Sequence, residues 1–146
     1  MPDETIEGGC LCGAVRYEVR KPFLRFAHCH CTRCRQATGS SHATNLYVLP
    51  DQFRWLQGEA QVRRYDLPTA RSFSTTFCTD CGAPLPHHTR SGAEWVVPAG
   101  SLDGDPGITP QANIFWGSRP SWSCADGELP KHEELSDGWR AGEPGI

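Results

Sequence analysis

No stretch of the 146-residue chain is apolar for long enough to cross a membrane. A basic surplus is missing too: 14 Lys and Arg stand against 17 Asp and Glu, a formal net charge of −3. A general nucleic-acid binder carries a basic face, so this balance argues against one. The opening residues, Met1-Pro2-Asp3-Glu4-Thr5, are acidic and lack the apolar stretch of a secretory leader, which makes the cytoplasm the expected compartment. The chain has neither an internal repeat nor a linker. Its length suits one domain, residues 1–146, with a core of modest size.

What is plentiful is punctuation. With Gly 15 and Pro 12, the chain favours short strands and turns over long helices. Val15, Tyr17 and Val19 alternate with Arg16 and Glu18, the pattern of a half-buried strand. Residues 23–31 are expected to run extended, 32–40 to form a turn or short loop, and 44–49 to form a strand ended by Pro50. A helical turn is expected over 51–56, stopped by Gly58. Strands are expected over 61–65 and 71–77, with Phe73, Thr75 and Phe77 on one face of the second, and again over 95–97 and 112–116. Residues 127–146 are acidic and glycine-rich and read as an extended surface tail. The expected fold class is all-β or β-dominated, with small sheets packed on one another.

Eight cysteines could make four disulfides in a secreted chain, but in a reducing compartment they serve better as metal ligands. Seven of them fall in three clusters: Cys10-Leu11-Cys12, Cys29-His30-Cys31-Thr32-Arg33-Cys34, and Cys78-Thr79-Asp80-Cys81-Gly82. A disulfide framework has no need of such tight pairs, whereas a zinc site does. Strand alternation points Cys10 and Cys12 the same way, so they can grip one ion. Cys78 and Cys81 form a knuckle whose reversal Gly82 permits. A zinc shared by these two pairs would cross-link distant strands and contribute directly to folding.

The triplet Cys29, Cys31 and Cys34 can reach one further metal. Four thiolates complete a tetrahedral zinc, while three leave a position for substrate. His28 and His30 would point away from Cys29 and Cys31 if this stretch is extended, which leaves His42 and Cys124 as rival fourth ligands. Three thiolates make zinc a weak Lewis acid and a good partner for another sulfur. The site therefore suits a substrate thiol, held as the nucleophilic thiolate. Arg33 and Arg35 flank Cys34 and could bind carboxylates of an anionic thiol.

These clusters and their flanks resemble a known family, the glutathione-dependent formaldehyde-activating enzymes, which includes centromere-protein-V-like proteins. The resemblance lies in Gly8-Gly9-Cys10-Leu11-Cys12-Gly13, in residues 29–40, in Phe77-Cys78-Thr79-Asp80-Cys81-Gly82-Ala83-Pro84-Leu85, in Gly100-Ser101-Leu102-Asp103, and in Trp122 with Leu129-Pro130. It implies an Mss4-like β fold, a structural zinc on Cys10, Cys12, Cys78 and Cys81, and a second, catalytic zinc on Cys29, Cys31 and Cys34, hence two zinc ions per chain. The implied activity is a carbon–sulfur lyase type of reaction, the addition of glutathione as co-substrate to formaldehyde. The expected partners are therefore a small thiol and an aldehyde. The main alternative is a non-catalytic zinc module that binds a protein. Methionine sulfoxide reduction ranks last, because Cys124 lacks the Arg and Asn surroundings expected for it. The number of subunits stays open.

Overall fold

Alternation builds the centre of the molecule. Val15, Tyr17 and Val19 are fully buried, while Arg16, Glu18 and Arg20 face outward. The computed structural model describes residues 4–123, 128–135, 139 and 141–143. In chain order the elements are β1 (Thr5–Gly9), β2 (Arg16–Arg20), β3 (Arg25–Cys29), α1 (Thr32–Thr38), β4 (Ala43–Val48), β5 (Phe53–Gln57), β6 (Val62–Asp66), β7 (Ser74–Cys78), β8 (Pro84–Leu85), β9 (His87–His88), β10 (Trp95–Pro98) and β11 (Ala112–Ile114). They form three small sheets, ordered β1-β2-β5, β11-β3-β4-β10-β9 and β6-β7-β8. The pairings are antiparallel except for β11 beside β3. The β-dominated expectation holds.

Two buried clusters join the sheets. Tyr17, Val19, Phe26, Leu46, Val48 and Val97 form the larger one, and Cys10, Val15, Cys78 and Leu85 the smaller. Trp55 packs against both. Burying each large aliphatic side chain contributes about 1.5–3 kcal/mol. Tyr17 carries a polar atom inward and satisfies it: its hydroxyl meets Ser101 Oγ at 2.6 Å, and Ser101 donates in turn to the Pro98 carbonyl at 2.7 Å.

The five-stranded sheet has two different faces. Strand partners lie side by side and point the same way. Arg25 pairs with Tyr47, Tyr47 with Val96, and Val96 with His87, while Cys29 pairs with Ala43. Arg25, Cys29, Ala43, Tyr47, Val96 and His87 therefore share one face. Phe26, Leu46 and Val97 belong to the opposite face and enter the larger core.

Three expectations about local structure change. Residues 32–38 form a helix, not a turn or loop. Its N-cap is Cys31, whose sulfur accepts from the Cys34 N–H at 3.3 Å, and the Gly39 N–H closes it on the Arg35 carbonyl at 2.8 Å. The turn expected over 51–56 is a short 3-10 turn, Pro50–Gln52, followed by strand β5. Gln52 fixes that turn: its amide donates to the carbonyls of Arg20 and Pro22 at 2.8 and 2.7 Å and accepts from the Leu49 N–H at 2.7 Å. The strand expected over 71–77 is β7, Ser74–Cys78; Phe73, Thr75 and Phe77 do share a face, which is half-buried, while Ser74, Thr76 and Cys78 occupy the buried one. Thr76 can face inward because its hydroxyl lies 2.7 Å from the Leu85 carbonyl and 2.9 Å from that of Pro86. The described parts of the 127–146 segment, residues 128–135, 139 and 141–143, are exposed.

Candidate metal centres

The first centre is built by two tight turns. Cys10 follows β1, and the chain reverses so that the Cys10 N–H reaches the Val15 carbonyl at 3.1 Å and the Val15 N–H reaches Cys10 Sγ at 3.2 Å. The knuckle after β7 closes through the Gly82 N–H to the Cys78 carbonyl at 2.7 Å, with Gly82 at φ +76°. These turns bring the sulfurs of Cys10, Cys12, Cys78 and Cys81 within 4.8 Å of one another. Cys10 and Cys12 Sγ stand 3.6 Å apart, and Cys12 and Cys78 Sγ 3.9 Å. A disulfide needs about 2.05 Å. Zinc–sulfur bonds of about 2.3 Å at tetrahedral angles put sulfurs roughly 3.8 Å apart. The donor set and its spacing thus fit a tetrahedral thiolate-bound metal.

The second centre gathers Cys29 at the end of β3, Cys31 at the helix cap and Cys34 in the first turn of α1. Their sulfurs also lie within 4.8 Å of one another, and no fourth Cys, His, Asp or Glu among the described residues joins them. Cys124 lies outside the described residues. The histidines are engaged elsewhere. His28 Nδ1 meets Thr44 Oγ1 at 2.8 Å, and His42 Nδ1 meets the same oxygen at 3.2 Å. His30 is buried, with Nε2 2.9 Å from Asn113 Oδ1 and its ring edge-on to Trp116.

Packing three thiols without a cation splits their acidities. The hydrogen bond with Cys34 brings the Cys29 thiol down to about 6. The same bond, with burial, pushes Cys34 far up. One thiolate opposes the next, and a dication removes that opposition by compensating all three. In the first centre, backbone N–H bonds to Ala83 and Cys12 bring Cys81 down to about 6.

A cavity of about 420 Å³ opens beside Cys34. The five-stranded sheet supplies Asn45, Tyr47 and His87 to its wall, α1 supplies Ala37 and Thr38, and the β7 side supplies Ser72 to Thr75. Among the described residues, no Asp, Glu, Lys or Arg lines it. Arg33 is exposed, and Arg35 reaches Thr32 Oγ1 at 3.4 Å; neither belongs to the wall. The sequence reading passed over Tyr47 and His87. Tyr47 gave a signal as one position of an alternating strand, whereas His87 stands in a two-residue strand with no pattern to read.

The model of the glutathione-dependent formaldehyde-activating enzyme family matches residues 5–118. The chain belongs to that family. A Halomonas elongata protein whose name proposes it as a glutathione-dependent formaldehyde-activating enzyme is 30% identical over 127 residues, covering 80% of this chain and 78% of its own. A crystal structure of a Rhodobacter sphaeroides protein superimposes with a TM-score of 0.58 at 26% identity, covering 74% of this chain and 98% of that one. The family match spans all three cysteine clusters and every strand of the fold.

Proposed function

We propose that the protein is a zinc-dependent enzyme of the carbon–sulfur lyase type that joins glutathione to formaldehyde, giving S-hydroxymethylglutathione. The observation that carries this reading is the three-cysteine group, with no fourth protein ligand among the described residues, beside a cavity of about 420 Å³. Cys10, Cys12, Cys78 and Cys81 would hold a structural zinc between the β1–β2 turn and the β7 knuckle. Cys29, Cys31 and Cys34 would hold a second zinc, which when bound keeps a substrate thiol in its thiolate form.

The remaining work falls to the chain itself. Cys31 does double duty, since it also caps α1 and so sets where Cys34 points. The uncharged wall accepts the thiol-bearing middle of glutathione and the small aldehyde, and holds them together at high effective concentration. Arg33 and Arg35, outside that wall, would meet only the carboxylates of a substrate that extends beyond the cavity. The seven described cysteines are all unpaired, which suits a reducing cytoplasm.

The test is exchange NMR on equilibrated glutathione and formaldehyde. Catalysis raises the rate at which free and hydroxymethylated glutathione interconvert, in proportion to enzyme added. No acceleration over the spontaneous rate, from protein holding two zinc ions per chain, would leave the alternative of a non-catalytic module for a protein partner. One observation favours that alternative: Phe115 and Trp116 are exposed large aromatics, at 63% and 49%.

A further inference from the structure

This inference rests on the proposed reaction. The addition of a thiolate to an aldehyde moves negative charge from sulfur to the carbonyl oxygen. That oxygen is two bonds from the attacking sulfur. A group that stabilises it belongs beyond the cysteines, along the cavity, and must offer a hydrogen rather than a lone pair. Among the described residues the wall carries no Lys or Arg to do this electrostatically.

Its hydroxyls are mostly committed. Thr38 donates to the Cys34 carbonyl at 2.8 Å, Ser74 to Asp66 at 2.6 Å, Thr44 is shared by His28 and His42, and Thr89 lies 3.2 Å from Ser91 Oγ. The hydroxyls of Ser72 and Thr75 make no hydrogen bond among the described residues, but they belong to the β7 side of the cavity. Tyr47 differs on each count. It lies on the sheet face that carries Cys29, and its hydroxyl has no hydrogen-bond partner among the described residues. A hydroxyl on the cavity wall with no protein partner is free to donate to a bound molecule.

The ring is also held in place. The Arg25 guanidinium packs over it, 4.5 Å from its centroid, and Arg25 is itself anchored to Glu94 at 2.6 Å. Burial raises the phenol above its ordinary value, so it keeps its hydrogen at neutral pH.

The geometry points to Tyr47 as a catalytic residue of the proposed reaction, its hydroxyl donating a hydrogen bond to the aldehyde oxygen as the thiolate attacks. The sulfur lone pair forms the C–S bond, and the π pair of the carbonyl moves onto oxygen. That oxygen, bound by the Tyr47 O–H, takes up from solvent the proton that the thiol released. Thiol and aldehyde become the hydroxymethyl thioether with no net oxidation or reduction.

Tyr47→Phe removes only the hydroxyl and leaves the ring under Arg25. In exchange NMR with glutathione and formaldehyde, kcat should fall about a hundredfold, the loss typical of one such donor. KM for glutathione should stay within about twofold and the zinc content should stay unchanged. A variant with the wild-type kcat overturns the role. A second measurement does not depend on turnover. With tyrosine labelled at the ring carbon bearing oxygen, the Tyr47 signal, identified among three tyrosines by its loss in Tyr47→Phe, should move with S-hydroxymethylglutathione and stay still with S-methylglutathione. No difference between the two ligands overturns the contact. A wild-type protein that shows the difference but does not accelerate exchange keeps the contact and defeats the proposed reaction instead.

Discussion

Cys12 and Cys78 are separated by 66 positions, yet their sulfurs lie 3.9 Å apart. Nothing between them is a long rigid element, so the contact joins two turns from different sheets. A metal at this point would staple the two turns together beside the small buried cluster of Cys10, Val15, Cys78 and Leu85. Apparent binding energies of structural zinc, about 10–16 kcal/mol, equal or exceed the whole stability of an ordinary domain. Cys78→Ser should therefore leave the chain largely unfolded, with far-ultraviolet circular dichroism losing its β signal. Strong chelators should do the same to the wild type. A folded Cys78→Ser protein would show that the sheets hold together without the staple.

The second centre makes the opposite prediction. Cys31 is half-buried, and besides its place in the triplet it caps α1. Losing a cap costs about 0.5–2 kcal/mol. The helix buries none of its own residues, so little else depends on it. Cys31→Ala should bind one zinc ion per chain instead of two, keep its β spectrum and melt only a few degrees lower. If it unfolds as completely as Cys78→Ser, both centres are structural and the division of labour fails.

How much of this could be read from the sequence depends on where the physics lies. The cysteine spacings were legible because ligand geometry is local. Strand β2 was legible because Val15, Tyr17 and Val19 write their burial into alternate positions. Helix α1 was not, since Thr32–Thr38 buries no residue and so carries no apolar stripe. In β7 the shared face of Phe73, Thr75 and Phe77 was legible from alternation, but which face is buried was not: Thr76 turns inward because the carbonyls of Leu85 and Pro86 receive its hydroxyl, and hydrophobicity does not record that bond. The cavity was beyond reach because its wall draws on α1, β4, β7 and β9, and only the packing of helix and two separate sheets brings them together.

His87 gives the fold a pH dependence of its own. Burial first, then the positive charge of Arg64 and the neighbouring His88, lower its imidazole from 6.5 to about 4, with Asp66 opposing weakly. Between these values the unfolded chain binds a proton that the folded chain does not. Stability from this group is therefore complete above pH 6.5 and lost as pH falls towards 4. Acid would also protonate the cysteines proposed to hold zinc, so the wild type alone cannot isolate the effect. His87→Phe, which keeps a ring and cannot titrate, should lose less stability than wild type between pH 6.5 and 4.5 in parallel urea titrations. Equal slopes for the two proteins would show that His87 is not held neutral.

Arg90 holds the side of the cavity that the loop between β6 and β7 supplies. Its guanidinium donates to the carbonyls of Leu67, Ala70, Arg71 and Phe73, at 2.8, 2.8, 3.2 and 2.6 Å. These four acceptors belong to the loop between β6 and β7, and that loop supplies Ser72 and Phe73 to the cavity. Hydrogen bonds to a charged donor contribute about 1.5–3 kcal/mol each, less where water competes. Lysine keeps the charge but cannot fan out to several carbonyls in one plane. Arg90→Lys should therefore destabilise the protein by about 2 kcal/mol and speed amide exchange within residues 67–73 while leaving the β3–β4 pair protected. If the cavity binds the proposed thiol substrate, KM for that thiol should rise several-fold with kcat nearly unchanged. A fall in kcat at constant KM would mean that the loop acts on the chemical step and not on binding.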